Sequence, residues 1–263
     1  MRRALTALAA IALVLGVAPS TAAASGGSDI VKTIFIHYRA APTVDLARGA
    51  HAPGVCPDAT TCTDYKWRGN KWPSTTVSYE LNAGGVSGAS TAVAAAFAAW
   101  THAVADHGGT LSVSASTGTT SCATAGTVRN QVDQICWRDL TSSYPNAIAV
   151  TFVWSSRSTK QIVEADTVFN SGAGFSWSYH DPGSCLTYGS CNTDSGASGT
   201  YDIRDIGTHE FGHFLALLSD LYTTSRDSQL TMYGYGSTGE TKKDSLAKGD
   251  CLGITAAYGG TCP

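Results

Sequence analysis

The chain has 263 residues, of which 43% are hydrophobic and only 14% are charged. This apolar fraction is enough to bury a core, which excludes a fully disordered protein. Seventeen Lys and Arg residues stand against 20 Asp and Glu residues, for a net charge of −3. This balance argues against nucleic acid as the main partner, because phosphate binding needs a basic surface.

The first 24 residues are typical of a secretory signal peptide. Two arginines follow Met1, an apolar stretch runs from Ala4 to Val17, and small residues precede Ser25. A membrane anchor is the alternative, but the stretch is shorter than the roughly 20 residues of a spanning helix. We therefore expect a secreted, extracellular chain of 239 residues and net charge −5, free of the membrane after cleavage.

Residues 25–62 show no regular pattern and contain Pro42, Pro53 and Pro57. We interpret this stretch as a propeptide or an irregular N-terminal arm. Residues 63–263 contain no internal repeat and no break in composition, which predicts one domain.

Strands and one helix are predicted in the first half of that domain. Thr75–Leu81 and Leu111–Ala115 alternate between apolar and polar residues, which predicts two strands. Between them, Ser87–Gly108 has apolar residues at helical spacing, which predicts a helix with one face on the core: Val93, Phe97, Trp100 and Val104.

Two further strands and a long loop follow. Asn146–Trp154 is almost continuously apolar and β-branched, as in a buried strand. Ile162–Phe169 is a second candidate, with Glu164 and Asp166 on a face that we expect to line a cleft or meet solvent. Ser171–Thr200 is rich in Gly and Ser, which predicts a long loop.

Helices dominate the C-terminal part. Asp202–Leu218 and Ser245–Tyr258 are the predicted helices, joined by a loop over Thr223–Gly239. Strands first and helices last indicate the α+β class, with a twisted mixed sheet, a helix in the N-terminal half, a central helix and a C-terminal helix.

Eight cysteines are expected to form disulfides outside the cytosol. Sequence does not fix their connectivity, but pairing of neighbours would close four local loops. A structural zinc site is disfavoured because no two cysteines have CxxC spacing. Cys56 as an inhibitory thiolate is another alternative, which would leave an odd cysteine. The expected pairs are Cys56–Cys62, Cys122–Cys136, Cys185–Cys191 and Cys251–Cys262.

The motif HExxH occupies residues 209–213. On a helix, His209 and His213 lie on one face and can bind one Zn²⁺. Glu210 can act as general base towards a water that zinc has acidified, and then as general acid. A catalytic zinc usually has three protein ligands. The third can follow on the same segment, or be a glutamate from a later helix, for which Glu240 and Asp244 offer a weak ExxxD pattern.

The sequence resembles the matrixin-like branch of the metzincin zinc peptidases, in its secreted microbial form. The resemblance covers most of the chain after the signal peptide. It implies a metzincin-type fold, peptidase activity, an edge strand that pairs with the substrate, and a Met-turn that places Met232 beneath the zinc. The segments that carry it are Tyr65–Trp67, Thr76–Tyr79, Ala94–Trp100, Ile162–Asn170 (the edge strand), Asp205–Leu217 and Thr231–Tyr235.

The chain departs from the family pattern after the second histidine. Ala216 stands where the family has a helix-ending glycine, and Ser219, a poor zinc ligand, stands at the third-ligand position. Asp220 follows, in an Asp-Leu-Tyr sequence that relatives with an aspartate ligand share. We therefore predict Asp220 as the third ligand, with a turn one residue longer; Ser219 and Glu240 are the alternatives.

The predicted function is a secreted, monomeric zinc endopeptidase that cleaves peptide or protein substrates. An exported binding module without activity is the alternative, because the third-ligand region is irregular. Calcium could bind through Asp181, Asp194 or Asp202, although no clear motif supports it.

Overall fold

A computed structural model describes residues 28–39, 59–181 and 196–262 of the protein. The predicted signal peptide, Cys56, Cys185, Cys191 and Asp194 lie outside these ranges. Within them, no helix is long and apolar enough to span a membrane.

The largest unit is a seven-stranded mixed sheet. Its strand order is β3-β2-β4-β6-β5-β1-β9. β5 is antiparallel to both of its neighbours, and the other adjacent pairs are parallel. A separate parallel pair joins β7 to β8. The strands are β1 (Ile30–Arg39), β2 (Thr76–Asn82), β3 (Ser112–Ala115), β4 (Gln134–Arg138), β5 (Ala147–Ser156), β6 (Ile162–Asn170), β7 (Trp177–Ser178), β8 (Tyr201–Asp202) and β9 (Tyr235–Gly236).

Helices pack together and against the sheet. They are α1 (Ala89–Ala105), α2 (Ile203–Ala216), the short α3 (Thr224–Asp227) and α4 (Lys248–Tyr258), with a 3-10 turn at Lys242–Asp244. The predicted apolar face of α1 is buried as expected. Phe97 on α1 stacks on Phe211 of α2 with ring centroids 3.7 Å apart. The Trp100 indole donates a hydrogen bond to the Thr208 carbonyl at 2.8 Å, which fixes α2 against α1.

The mixture of sheet and helices agrees with the predicted α+β composition. The predicted strands near residues 76, 112, 147 and 162 and the three long helices are all present. The structure also contains β4, a five-residue strand that the sequence pattern does not predict.

The prediction that Ile162–Asn170 is the edge strand is wrong. β6 lies inside the sheet between β4 and β5, and Glu164 and Asp166 are fully buried rather than facing a cleft or solvent. Backbone amides satisfy both carboxylates: Asn130 donates to Glu164 at 3.0 Å, and Gly126 donates to Asp166 at 2.6 Å. Burial raises the pKa of Asp166 to about 7.

The N-terminal arm is not irregular throughout. Ile30–Arg39 forms β1, which pairs with β5 on one side and with β9 on the other. The three prolines of the arm all lie beyond Arg39, so they do not interrupt this strand. The Thr223–Gly239 loop likewise contains α3 and β9.

Two predicted disulfides are confirmed, Cys122–Cys136 and Cys251–Cys262. The first joins β4 to the segment before it, and the second holds the C-terminal residues to α4. Cys62 is buried as a free thiol, and its predicted partner is outside the described residues.

Candidate metal centre

Helix α2 carries the HExxH motif through the interior of the protein. Its N-terminus is capped by Asp202, whose carboxylate accepts hydrogen bonds from the amides of Arg204 (2.8 Å) and Asp205 (3.0 Å). Every residue of the helix is buried. The motif is therefore held on a rigid support rather than on a loop.

Two backbone carbonyls orient the two imidazoles. His209 Nδ1 lies 2.7 Å from the Thr231 carbonyl oxygen, and His213 Nδ1 lies 2.5 Å from that of Leu218. Because a carbonyl oxygen can only accept, each Nδ1 carries the proton and donates it. Each Nε2 is then left with an unprotonated lone pair, and the two Nε2 atoms are 3.2 Å apart.

Asp220 joins this pair. Its Oδ1 lies 3.1 Å from His209 Nε2 and 3.3 Å from His213 Nε2, and accepts no hydrogen bond. His209, His213 and Asp220 form a group able to hold a metal ion. Ser219 and Glu240 are not part of it.

The turn after α2 explains why residue 220, not 219, reaches the histidines. The left-handed residue is Leu217, with φ 47°, and Ala216 is still helical. The Leu217 and Leu218 amides close the helix end on the carbonyls of His213 and Gly212. The turn thus brings Asp220 to the histidines, whereas Ser219 donates its amide to the Lys66 carbonyl at 2.9 Å.

The spacing of the three ligand atoms fits zinc. Bonds of about 2.0–2.1 Å to a tetrahedral ion place neighbouring ligand atoms about 3.3 Å apart. The observed separations of 3.1, 3.2 and 3.3 Å are close to that value. With both rings neutral and protonated at Nδ1, three acceptor atoms converge, an arrangement that a cation stabilises.

Charge and burial shift the pKa values of the three groups. Burial lowers the pKa of His209 to about 4 despite the nearby Asp220. Burial also opposes the charged form of His213, but Asp220 and Glu210 outweigh it and raise its pKa. Burial alone would raise the pKa of Asp220, whereas the two histidines hold it well below its usual range. A neutral His209 and an ionised Asp220 are the forms that ligate metal.

Glu210 lies beside the three ligand atoms without being one of them. The Thr151 hydroxyl of β5 donates to its Oε2 at 2.6 Å, and the Thr167 hydroxyl oxygen lies 2.8 Å from that of Thr151. Glu210 Oε1 is buried and has no hydrogen-bond partner. Burial raises the pKa of Glu210 to about 7, so its carboxyl can both take and release a proton near neutral pH.

Met232 packs directly under the motif. It is 1% exposed, and a Cβ atom added at Gly212 would come within 2.3 Å of its sulfur. The Asp250 carboxylate of α4 accepts the amides of Thr231 (2.8 Å) and Met232 (3.1 Å). Met232 therefore lies against α2 at Gly212, between the two histidines in sequence.

The alternative ligand has other partners. Glu240 Oε1 lies 2.8 Å from Lys242 Nζ and 3.7 Å from Lys243 Nζ. Asp244 is buried, and burial with the neighbouring Asp205 and Asp202 raises its pKa to about 9.

The calcium prediction finds no group of ligands among the described residues. The Asp202 carboxylate is occupied as the α2 cap and also accepts the His180 amide at 2.7 Å. Neither Asp181 nor Asp202 belongs to any group of three donors close enough to share an ion in the described part of the chain.

Strand β1 contributes two residues that the sequence did not single out. The Phe35 ring stacks on His213 with centroids 4.0 Å apart, and the His37 ring lies 3.9 Å from that of His209. His37 Nε2 accepts a hydrogen bond from Lys243 Nζ at 3.1 Å. Its Nδ1 therefore carries the proton when the ring is neutral, and it faces Glu210 Oε1 at 3.6 Å.

No protein-family model matches this chain, and no curated protein matches it significantly.

Proposed function

We propose that this protein is a secreted zinc endopeptidase. The observation that carries the proposal is the convergence of two imidazole nitrogens and a carboxylate oxygen, 3.1 to 3.3 Å apart, next to the Glu210 carboxylate. His209, His213 and Asp220 would hold the ion, which leaves a fourth position open, as in catalytic rather than structural zinc sites.

The ion and the residues around it would each have a separate role in hydrolysis. Zinc, when bound, supplies a Lewis acid that acidifies water and polarises a carbonyl. Glu210 Oε1, which accepts no hydrogen bond, takes a proton from the attacking water and then delivers it to the leaving amine nitrogen. Thr151 keeps the carboxylate in place through Oε2.

An extended peptide is the substrate form that suits this site. β5 passes over the motif and bears Thr151, so a peptide paired with β5 along the side that β1 occupies in this structure would cross the metal group. Main-chain hydrogen bonds to a strand bind peptides with little dependence on side chains. We therefore place the substrate strand alongside β5, whereas the sequence predicted that it pairs with β6.

The test is Glu210→Ala, assayed on casein and on a mixed peptide library, with zinc content measured in the same samples. We expect one zinc per chain in both proteins and loss of at least about 100-fold in activity, the scale of general acid–base catalysis. Glu240→Gln is the matched control and should retain activity. Full activity of Glu210→Ala contradicts the mechanism; absence of zinc from the wild-type protein favours an exported binding module.

A further inference from the structure

A cleft with cationic walls opens beside the metal group. Its volume is about 490 Å³, within the range of about 300–1,000 Å³ that ligand pockets span. The turn after α2 forms one side of it through Leu217, Ser219 and Asp220. Because Asp220 also belongs to the metal group, the cleft and the metal group are direct neighbours.

Four cationic side chains line this cleft. All four are exposed, and Asp220 is the one acidic residue among the described residues that line it. The ion pairs of the described ranges do not involve any of the four. The chain as a whole is acidic, with a net charge of −3, so the cleft is a local reversal of charge. The four cations are Lys66, Arg68, Arg157 and Lys160.

Backbone hydrogen bonds hold the two cationic walls together. The Lys71 amide donates to the Lys160 carbonyl at 3.2 Å, and the Ile162 amide donates to the Lys71 carbonyl at 2.8 Å. The Ser219 amide donates to the Lys66 carbonyl at 2.9 Å, which ties the first wall to the turn after α2. The fold therefore fixes charges from two distant segments around one space.

The rim of the cleft binds a carboxylate in this structure. The Ser156 hydroxyl donates to Asp29 Oδ2 at 2.5 Å, and the Ser158 amide donates to Asp29 Oδ1 at 3.0 Å. The Ser156 bond outweighs partial desolvation and lowers the pKa of Asp29, and the positive charge of Arg157 adds to this effect. Because Ser156 and Arg157 also line the cleft, its rim already has the partners that an acidic side chain needs.

A strand edge beside the cleft favours a polypeptide as the ligand. β1 pairs with β5 along one side, but along its other side the described chain pairs with it only at Tyr38 and Arg39. Val31, Thr33 and Phe35, which precede that pairing, line the cleft. Main-chain groups at a strand edge bind extended peptides. A long polyanion would instead be repelled by the negative charge of the rest of the chain.

We propose that this cleft binds an acidic segment of a polypeptide, next to the metal group and with β1 in place. The binding stands on the cationic walls, the carboxylate at the rim and the strand edge. That the acidic segment belongs to a protein substrate rests on the proposed peptidase function. A substrate held here is tethered beside the metal group, which raises its effective concentration there.

Binding is measured by fluorescence polarisation in the full chain carrying Glu210→Ala, so that the probe is not hydrolysed. The probe is a labelled peptide of alternating Glu and Gly, and the control peptide has Gln in place of each Glu. We expect the acidic peptide to bind at least about tenfold more tightly in low salt, and this preference to shrink at about 0.5 M NaCl, where exposed charges are screened. Equal binding of the two peptides, or a preference that salt does not change, overturns the proposal.

Charge reversals test the two walls separately. Arg68→Glu and Lys160→Glu should each weaken binding of the acidic peptide by about fivefold or more, because each removes an exposed ion pair and adds a repulsion. Lys248→Glu is the matched control. Lys248 begins α4 and does not line the cleft, and an acidic residue suits a helix N-terminus, so the affinity should stay within about twofold. Equal losses for all three variants overturn the proposal.

Competition and hydrolysis separate the proposal from its rivals. A heparin oligosaccharide that displaces the probe at a lower concentration than the unlabelled acidic peptide does overturns the choice of a polypeptide. With Glu210 intact, Arg68→Glu should raise KM for peptides with an acidic segment by about fivefold and leave kcat unchanged. Binding of the acidic peptide without hydrolysis of any peptide supports the cleft and contradicts the peptidase function. Hydrolysis without binding of the acidic peptide does the reverse.

Discussion

At the scale of single residues, the site depends on which atom each group leaves free. The carbonyls of Thr231 and Leu218 take up the two Nδ1 protons, so both Nε2 atoms point at Asp220. Such outer partners fix the tautomer of a metal-binding histidine. Thr151 likewise orients the Glu210 carboxylate, because its hydroxyl donates a hydrogen bond to only one of the two oxygens.

Thr151→Val tests that positioning role. The valine keeps the shape but removes the 2.6 Å hydrogen bond to Glu210. Bonds to charged groups contribute about 1.5–3 kcal/mol, so we expect kcat to fall by about 10- to 100-fold with KM nearly unchanged in the same casein and peptide assays. Thr151→Ser keeps the hydroxyl and should restore most of the rate; a serine variant as slow as the valine variant would rule the role out.

Sequence predicted the residues of the centre better than their surroundings. His209, Glu210 and His213 follow from a fixed spacing on a helix, whereas Asp220 was predicted from the resemblance of its Asp-Leu-Tyr sequence. Thr151 carries no local signal, because a hydroxyl in a β-branched run is common. His37 belongs to no local motif, and its neighbours Glu210 and Lys243 are distant along the chain, so no sequence pattern reveals its position at the site.

At the scale of elements, the site depends on a close contact between α2 and the turn that contains Met232. Gly212 faces the Met232 sulfur and the Trp100 ring, and a Cβ there would meet them at 2.3 and 2.9 Å. The helix can approach this closely only because residue 212 has no side chain.

Gly212→Ala should therefore lower the free energy of unfolding by about 1–3 kcal/mol, the usual cost of overpacking. Gly207→Ala makes the same chemical change on the same helix, where the nearest atom, the Ala96 Cβ, is 3.3 Å away. There, the gain in helix propensity, up to about 1 kcal/mol, offsets the tighter contact. Urea unfolding of the two variants measures the difference; equal destabilisation would contradict the close contact at Met232.

The elements themselves were predicted unevenly. Strands and helices with strong periodicity, such as α1 and β5, were found because one or all of their faces are buried. The order of strands in the sheet depends on contacts between distant segments, which no local pattern encodes. Glu164 and Asp166 suggested an exposed edge, yet backbone amides pair with both inside the sheet.

At the scale of the whole molecule, one sheet contains the N-terminal strand, the strand that bears Thr151 and the strand that follows Met232. β1 joins the other two, β5 and β9, across the metal group. With β1 in this position, His209, Glu210 and His213 are fully buried.

The stability of the whole molecule should depend on pH through buried carboxyls. The pKa of Asp244 is raised to about 9 by burial and by neighbouring carboxylates, against about 3.9 in an unfolded chain. The folded state therefore holds a proton that the unfolded state releases, and its contribution to stability falls as pH rises from about 4 to about 9.

Asp244→Asn removes this titration while keeping the shape. We expect the variant to gain stability relative to the wild-type protein as pH is raised from 5 to 8, by up to about 1.4 kcal/mol per pH unit. Thermal unfolding of both proteins across that range is the measurement. A difference in melting temperature that does not change with pH would mean that Asp244 is ionised in the folded state.

The most direct test of the zinc centre is a crystal structure of the purified protein with anomalous diffraction recorded at the zinc edge. We predict one zinc peak within about 2.0–2.2 Å of His209 Nε2, His213 Nε2 and a carboxylate oxygen of Asp220, with Glu210 outside bonding distance. A peak bound by Ser219 or Glu240 in place of Asp220, or no zinc peak near α2, would contradict the assignment.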